Sequence, residues 1–425
     1  MIRRLLIVLL VLVAGFAAAV WMFNFASRGG VHDVPPRMPP APEQVARGAY
    51  LARVGNCMLC HTERGGAAYA GGRPVQTPFG AIYASNITPD AETGIGGWSA
   101  AHFRRALHEG RSRSGRLLYP AFPYTHTTRV TGADADALFD YLRSLPPVNK
   151  PNRPHRLRWP YNTQAALAVW RLLYFRPETH VDDPNRPREW NRGAYLVQGL
   201  AHCGACHTAR DALGGTRDVL DLSGGLIPMQ NWYAPSLASP AEASVAEWPL
   251  PDIVQLLATG QSPRGSVLGP MAEVVLHSTQ YMDPGDLRAI AVYLKSLPPV
   301  SGDSDPREVP QASARVLERG GKVYAQHCAD CHGAQGQGVR GAYPALAGNR
   351  AVTMTETTNL VQVLLHGGYP PSTAGNPRPF GMPPFATVLP DADVAAVLTY
   401  IRSAWKNGAA PVSELDVAQQ RSSMR

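Results

Sequence analysis

The hydrophobic pattern of the chain begins with an almost unbroken apolar run over residues 5–23, preceded by the basic pair Arg3 and Arg4. As a helix this run would be about 28 Å long, which is close to the hydrocarbon thickness of a bilayer. Residues 17–19 are alanines and offer a signal-peptide cleavage site, but the apolar run continues past them and includes the interface-favouring Trp21. The sequence therefore favours an uncleaved anchor over a cleaved signal. In both cases the chain after residue 27 is exported, because the basic flank stays in the cytoplasm.

Helix-like periodicity then occurs in three stretches of the chain that share short sequences. We refer to these stretches as the first, second and third repeats. Each repeat opens on a short amphipathic segment and closes on an apolar one. The openings are Arg-Gly-Ala-Tyr-Leu at 47–51 and at 192–196, and a looser version that starts at Arg319. The closing segments are Tyr-Leu-Arg-Ser-Leu-Pro-Pro-Val at 141–148, Tyr-Leu-Lys-Ser-Leu-Pro-Pro-Val at 293–300 and Tyr-Ile-Arg-Ser-Ala-Trp at 400–405.

Within each repeat a further helical segment ends at a glycine, and an acidic residue marks the start of the closing helix. The glycines are Gly110, Gly260 and Gly367, and the acidic residues are Asp134, Asp283 and Asp391. No segment has a convincing sheet pattern, so we predict an all-α protein with three tandem domains at residues 43–149, 191–300 and 314–407. The remaining segments are the anchor or signal at 1–27, a Pro-rich stalk at 28–42, an Arg/Pro-rich connector at 150–190, a linker at 301–313 and a polar tail at 408–425.

All six cysteines lie in three copies of one pattern, Cys-x-x-Cys-His, with one copy in each repeat. The copies are Cys57, Cys60 and His61; Cys203, Cys206 and His207; and Cys328, Cys331 and His332. This is the attachment pattern of c-type haem, since both thiols and the histidine share one face of a helical turn. A zinc site needs four protein ligands, and a redox dithiol does not need the histidine. We therefore predict three covalently bound haem c groups with the three histidines as iron ligands, in domains ordered like class I cytochromes c.

The composition suits small haem domains that are rich in loops. The chain has 425 residues, of which 40 are glycine and 39 proline, and this length indicates several domains rather than one small core. The formal charge of +8 would move towards neutral once each haem adds two propionates. The sequence holds no dense Lys/Arg run with interleaved aromatic residues, so we do not expect nucleic-acid binding.

Methionine is the usual sixth ligand of the iron in cytochromes c. Met271 follows Gly260 in a Gly-Pro-Met-Ala sequence, and Met382 follows Gly367 in Gly-Met-Pro-Pro-Phe. A lone methionine is more often core filler, but the matching positions and the neighbouring prolines favour ligation by these two. The rival methionines lie at positions that the repeats do not share, namely Met229, Met282 and Met354.

The first repeat departs from this pattern, because Phe122 occupies the place of the methionine. His126, four residues later, is the candidate sixth ligand, while His102 and His108 lie on the preceding helix. Bis-histidine ligation would lower the potential of this haem relative to the other two. The alternative is a five-coordinate iron with Phe122 on its distal side and His126 as an ordinary loop residue.

Further motifs accompany the haem patterns between about residues 47 and 404. They are Asn-Ile-Thr-Pro-Asp at 86–90, Gly-Ile-Gly-Gly-Trp at 94–98, Tyr-Pro-Ala-Phe-Pro-Tyr at 119–124, His-Ser-Thr-Gln-Tyr at 277–281 and Gly-Met-Pro-Pro-Phe at 381–385. Together they resemble the triple-haem cytochrome c subunits of membrane-bound periplasmic dehydrogenases of bacteria. That family serves quinoprotein (PQQ) alcohol dehydrogenases, flavin-dependent sugar and sugar-acid dehydrogenases, and molybdenum hydroxylases that act on aldehydes or N-heterocycles. Members of the alcohol branch typically carry methionine where this chain has Phe122, so Phe122, His126 and the run at 375–381 look more like the molybdenum branch.

The resemblance implies an electron relay without substrate chemistry of its own. A dehydrogenase catalytic subunit, in the molybdenum branch with a small iron–sulfur subunit, would reduce the haems at the periplasmic face of the inner membrane. The electrons would leave to ubiquinone or a terminal oxidase. A different class of function is a haem peroxidase that works at an open first haem, and a haem-based sensor is a third and least favoured alternative.

The connector contains one predicted amphipathic helix, over residues 163–175. We favour the interpretation that its apolar side covers the core of the first repeat. Alternatively it docks on the catalytic subunit or on the membrane surface, with Arg171 and Arg176 directed towards acidic groups or lipid phosphates.

Overall fold

A computed structural model describes residues 1–25, 40–216, 218–300 and 310–422 of the chain. The predicted stalk and the predicted linker therefore lie largely outside the described residues. The chain divides into two compact units. The first comprises Met1–Ala52, Cys57–Val181 and Arg210–Val219, and the second comprises Arg53–Asn56, Asp182–Ala209 and Leu220–Arg425.

The first unit begins with helix α1 (Ile2–Phe25), which is 24 residues long. Its most apolar stretch of 18 residues is not buried against the rest of the protein. By length and composition this helix is able to cross a membrane. The helices that follow are α2 (Pro42–Val54), α3 (Cys57–His61), α4 (Ala100–Glu109), α5 (Tyr124–Thr127), α6 (Gly132–Ser144) and α7 (Gln164–Tyr174). The strands of this unit are β1 (Pro74–Thr77), β2 (Gly80–Tyr83) and β3 (Arg156–Leu157).

The second unit contains the third repeat and the second repeat without Arg210–Val219. Its helices are α8 (Arg188–Tyr195), which continues as a π-helical turn over Leu196–Leu200, α9 (Gly204–His207), α10 (Leu250–Thr259), α11 (Pro270–His277), a 3₁₀ turn (Thr279–Tyr281), α12 (Pro284–Lys295), α13 (Ala314–His327), α14 (Ala329–His332), α15 (Arg350–Thr353), α16 (Thr358–His366), α17 (Asp391–Ser403) and α18 (Glu414–Ser422). Its strands are β4 (Gly225–Ile227), β5 (Trp232–Ala234), β6 (Gln261–Ser262) and β7 (Gly265–Ser266).

The opening and closing helices of each repeat cross at the glycine of the opening sequence. A Cβ atom added to that glycine would overlap a backbone carbonyl oxygen and the Cβ of the tyrosine that starts the closing sequence. The three sets are Gly48 with Ala137 and Tyr141, Gly193 with Ala289 and Tyr293, and Gly320 with Ala396 and Tyr400. Only glycine allows two helix backbones to approach this closely. The glycine shared by the three opening sequences therefore produces the same helix crossing in each repeat.

An ion pair closes each of these crossings. Arg47 donates to Asp134, whose side chain is only 2% exposed, with Nε at 2.8 Å from Oδ1. The equivalent pairs are Arg192 with Asp286, at 2.8 and 2.6 Å, and Arg319 with Asp393, at 2.5 Å. In each case the arginine directly precedes the crossing glycine and the aspartate lies in the first turn of the closing helix, where the helix dipole also favours an acid.

The described residues also contain three small antiparallel sheets, which correct the prediction of a protein without sheet. They are β1–β2–β3, β4–β5 and β6–β7. Their strands are only two to four residues long. A strand of this length contains one or two alternations of polar and apolar residues, which is too few for a period of two to stand out in the sequence.

The connector helix is present as α7 and covers the core of the first unit, as predicted. Its N-cap Thr163 accepts a hydrogen bond from the Ala166 amide, and Leu167 is buried against Leu117. The alternative interpretation, in which Arg171 faces acidic groups or lipid phosphates, is wrong. This side chain is fully buried, with its guanidinium carbon 4.5 Å from the ring centroid of Phe175, because the helix turns that face towards the core.

The last turn of α1 is tied to α7 by a buried polar residue. The Asn24 amide nitrogen donates to the Ala168 carbonyl at 3.0 Å, and Arg171 Nε donates to the Asn24 side-chain oxygen at 3.0 Å. Asn24 is fully buried although the rest of α1 is largely exposed. The apolar helix thus ends inside the first unit.

The C-terminal tail is polar, as predicted, but it is also folded. Helix α18 buries Val417 completely, and Arg421 at its end donates to Asp391 at 2.6 Å. One buried valine within an otherwise polar helix produces no periodic signal, so the sequence did not indicate this helix.

Candidate haem-binding sites

Each Cys-x-x-Cys-His pattern folds into one helical turn. The first lies on α3, while in the other two the leading cysteines, Cys203 and Cys328, are the N-cap residues of α9 and α14. The His207 amide donates to the Cys203 carbonyl at 3.0 Å, and the His332 amide donates to the Cys328 carbonyl at 2.9 Å. First cysteine and histidine are therefore one helical turn apart, on a common face, as the haem attachment pattern requires.

Each of the three histidines makes the same second contact. His61 Nδ1 lies 2.7 Å from the Ser85 carbonyl, His207 Nδ1 lies 2.7 Å from the Pro235 carbonyl, and His332 Nδ1 lies 3.0 Å from the Pro344 carbonyl. A backbone carbonyl only accepts, so Nδ1 carries the proton and Nε2 keeps its lone pair. This tautomer is the one that a histidine needs to ligate a metal through Nε2, and the carbonyl also fixes the orientation of the ring.

The electrostatics of these residues suit haem ligation. Burial lowers the pKa of His61, His207 and His332, so the imidazoles are neutral at physiological pH and able to bind iron. Burial also raises the pKa of the Cys57 and Cys203 thiols to about 12. A redox dithiol needs a thiol pKa that is lowered, which is the opposite shift, so the burial of these thiols disfavours that alternative.

A structural zinc site would bring four ligands together. Within the described ranges, no group of three or more His, Cys, Asp or Glu side chains is placed to hold a metal ion. The distant clusters therefore do not combine, and the residues present fit a covalently attached haem better than a zinc ion.

The two predicted methionine ligands are half-buried, whereas two of their rivals are core residues. Met382 exchanges backbone hydrogen bonds with Gly368, at 2.8 and 3.1 Å, and packs on the core of the third repeat. Met271 lies in the first turn of α11. Met282 and Met354 are 5% and 4% exposed, and Met229 is 64% exposed. Ligation by Met271 and Met382 remains a prediction, which this pattern of burial supports.

In the first repeat the three histidines other than His61 have different surroundings. His126 lies on α5 and is 3% exposed, with Nδ1 at 3.1 Å from the Thr125 hydroxyl. His102 serves the capping box of α4, with its Nδ1 2.9 Å from the Ser99 hydroxyl. His108 has a lowered pKa because it is buried, and its Nε2 is a buried atom without a hydrogen-bond partner among the described residues.

This arrangement leaves two candidates for the sixth ligand of the first haem. His102 has a structural role in the helix cap, so it is not needed to explain iron binding. His126 remains the predicted ligand, and His108 becomes its rival. No pattern in the sequence singles out His108, because only the folded chain shows that its Nε2 is buried.

Comparison with known proteins decides the family. A cytochrome c family model matches residues 317–405. Over 396 residues the chain is 38% identical to the cytochrome c subunit of the alcohol dehydrogenase (quinone) of Gluconacetobacter polyoxogenes, a match that covers 89% of this chain and 84% of that protein. The chain belongs to the cytochrome c subunits of dehydrogenases. It is thus an electron-transfer subunit that works with a dehydrogenase catalytic subunit, and the predicted family is confirmed.

Two further relatives show how broadly this cytochrome c subunit family extends. The gluconate 2-dehydrogenase cytochrome c subunit of Pantoea cypripedii is 37% identical, over 89% of each chain. A nicotinate dehydrogenase subunit of Pseudomonas putida is 39% identical over 87% of this chain, which corresponds to 31% of that longer protein. These identities are nearly equal, so identity alone does not assign the cytochrome c subunit to one kind of dehydrogenase.

Proposed function

We propose that the protein carries three haem c groups in three tandem class I cytochrome c domains, at residues 43–149, 191–300 and 314–407. The observation that carries this proposal is the threefold recurrence of one local design. In each repeat the histidine that follows the second cysteine donates a hydrogen bond from Nδ1 to a backbone carbonyl. The opening and closing helices cross at a glycine, and an Arg–Asp ion pair joins them beside this crossing. A set of contacts that recurs around three identical motifs supports the same cofactor in each.

The residues around each motif would control the potential of the group. A bound haem supplies a one-electron iron couple. The histidines His61, His207 and His332 are held in the ligating tautomer, and Met271 and Met382 provide soft sulfur ligands that raise the potential. His126 would provide a nitrogen ligand and a lower potential in the first domain, so the three potentials would differ.

We also infer that α1 anchors the protein to the periplasmic face of the bacterial inner membrane. Its length and apolar surface support this, and Arg3 and Arg4 at its start favour an orientation with the folded units outside the cytoplasm. The buried Asn24 supports a helix that stays attached to the folded protein, because it makes the end of α1 part of the first unit.

The catalytic partner proposed for this chain is a molybdenum hydroxylase-type dehydrogenase that acts on an aldehyde or an N-heterocycle, with a small iron–sulfur subunit. Phe122 in the place of the methionine of the alcohol branch supports this assignment, and one relative belongs to a dehydrogenase of the N-heterocycle nicotinate. Relatives from alcohol and gluconate dehydrogenases make a PQQ- or flavin-dependent partner the alternative. Electrons would leave to ubiquinone or a terminal oxidase.

Purification of the tagged full chain from membranes of its native host tests this proposal. We expect a large catalytic subunit to copurify with molybdenum in about one-to-one ratio to the chain, together with an iron–sulfur EPR signal. The haems should become reduced when the partner's substrate is added to the complex. Copurification of PQQ or flavin without molybdenum would favour the alternative, and the absence of any dehydrogenase subunit would contradict both.

A further inference from the structure

Strand β5 of the second repeat connects the two sides of the proposed second haem site. Directly after this strand, the Pro235 carbonyl accepts the hydrogen bond from His207 Nδ1 at 2.7 Å. At its start, the Trp232 ring packs on Gly269, where an added Cβ would lie 2.5 Å from the ring. Gly269 is two residues before Met271, the predicted sixth ligand. A displacement of β5 would therefore move the carbonyl that orients His207 and disturb the segment that carries Met271.

One edge of β5 is held by a side chain from the third repeat. Asn359, in the first turn of α16, accepts from the Tyr233 amide at 2.8 Å and donates to the Tyr233 carbonyl at 2.7 Å. Both residues belong to the second compact unit, and Asn359 is 7% exposed. The side chain thus takes the place of a neighbouring strand, since it pairs with both backbone groups of one residue.

The rest of the strand is fixed from within the second repeat. Leu226 of β4 lies opposite Tyr233 in the antiparallel pair. The Tyr233 hydroxyl donates to Glu242 at 3.1 Å, and the other oxygen of Glu242 accepts from the Ser236 amide at 2.6 Å. Asn359 therefore adds two hydrogen bonds from the third repeat to a strand that is also held from within the second.

We propose that Asn359 is a positioning residue for the second haem, acting through β5 and the Pro235 carbonyl on His207. A carbonyl held at short distance makes the histidine a stronger donor to iron, which lowers the potential. The same helix, α16, ends at Gly367, next to the backbone pair between Gly368 and Met382. Helix α16 thus supports the second site and the predicted ligand loop of the third.

This inference rests on the proposed function, since it assumes a haem at His207. Its test is a redox titration of the full chain, in which Asn359→Leu keeps the branched shape of the side chain and removes both hydrogen bonds. We expect the midpoint potential of the second haem to rise and its low-spin EPR signal to shift, because the Pro235 carbonyl is less firmly held. The second haem is assigned by the loss of its signal in Met271→Ala. Asn359→Ala should give the same direction of change and serves if the leucine variant does not fold.

The matched control is Asn349, a second buried asparagine by which the third repeat contacts the second. It donates to the Ser266 hydroxyl at 2.9 Å, in β7 and not in β5. Asn349→Leu should leave the potential of the second haem unchanged. Three bound haems with unaltered potentials in the Asn359 variants would overturn the inference while the proposed function stands, as would an equal shift in Asn349→Leu. A wild-type chain without a haem at His207 would overturn both.

Discussion

Replacing Met382 by alanine is expected to convert one haem from low-spin to high-spin and to lower its midpoint potential. A thioether ligand stabilises the reduced iron, and axial ligands set haem potentials over a range of about 0.8 V, so we expect the decrease to be a substantial part of that range. The backbone pair with Gly368 holds Met382 half-buried at the core of the third repeat. EPR of the oxidised protein and a spectroelectrochemical titration measure the two effects.

The control for this prediction is Met354, the rival methionine of the third repeat. It is only 4% exposed, and Met354→Leu is a volume-conserving change that should cost less than about 1.5 kcal/mol and leave all potentials unchanged. If Met354→Leu produced the high-spin haem and Met382→Ala did not, the assignment of the sixth ligand would be reversed.

The second large effect is expected in the first repeat, where His126→Ala should turn one low-spin EPR signal into a high-spin one. The wild-type protein should show three low-spin signals, because every iron then has two protein ligands. Loss of His126 leaves the first iron five-coordinate or bound to water, and the haem should then bind cyanide. Low-temperature EPR with and without cyanide measures both changes.

His108→Ala is the matched control, since His108 is half-buried, has a buried Nε2 and takes no part in the N-terminal helix cap of α4. It should leave three low-spin signals. A high-spin signal already present in the wild type, and responsive to peroxide, would refute His126 as the ligand and support a peroxidase at an open first haem. A high-spin signal in His108→Ala alone would transfer the ligand role to His108.

Local features of this chain were predictable where one residue type is needed at a fixed spacing. The haem patterns stand out because two thiols and an imidazole must share one helical turn. The short sequences that contain Gly48, Gly193 and Gly320 were recognisable as repeats, and the structure then showed that they recur because only glycine admits the backbone contact at each helix crossing. Both signals are local in the chain, and each occurs three times.

Contacts between distant residues were not predictable from the sequence. The carbonyls that orient the histidines belong to Ser85, Pro235 and Pro344, which lie 24, 28 and 12 residues from their partners. Every residue has such a backbone carbonyl, whatever its side chain, so nothing in the sequence marks these positions. The Asn359 hydrogen bonds to Tyr233 join residues 126 positions apart and were equally invisible.

A buried polar residue explains why one interpretation of the connector was wrong. The alternative interpretation placed Arg171 towards a partner or lipid, and arginine is usually exposed, yet this side chain is fully buried beside aromatic rings. Its Nε donates to Asn24, which lies 147 residues earlier in the chain. A long-range partner of this kind becomes visible only in the folded chain.

We propose that the chain is a relay of three one-electron centres, and an electron count is a direct test of this number. Anaerobic coulometric reduction of the purified full-length protein, followed at the haem α-band, gives the number of electrons taken up per polypeptide. We expect three electrons per chain, in steps that differ in potential. An uptake of two electrons or fewer, in protein with all six cysteines intact, would contradict the claim.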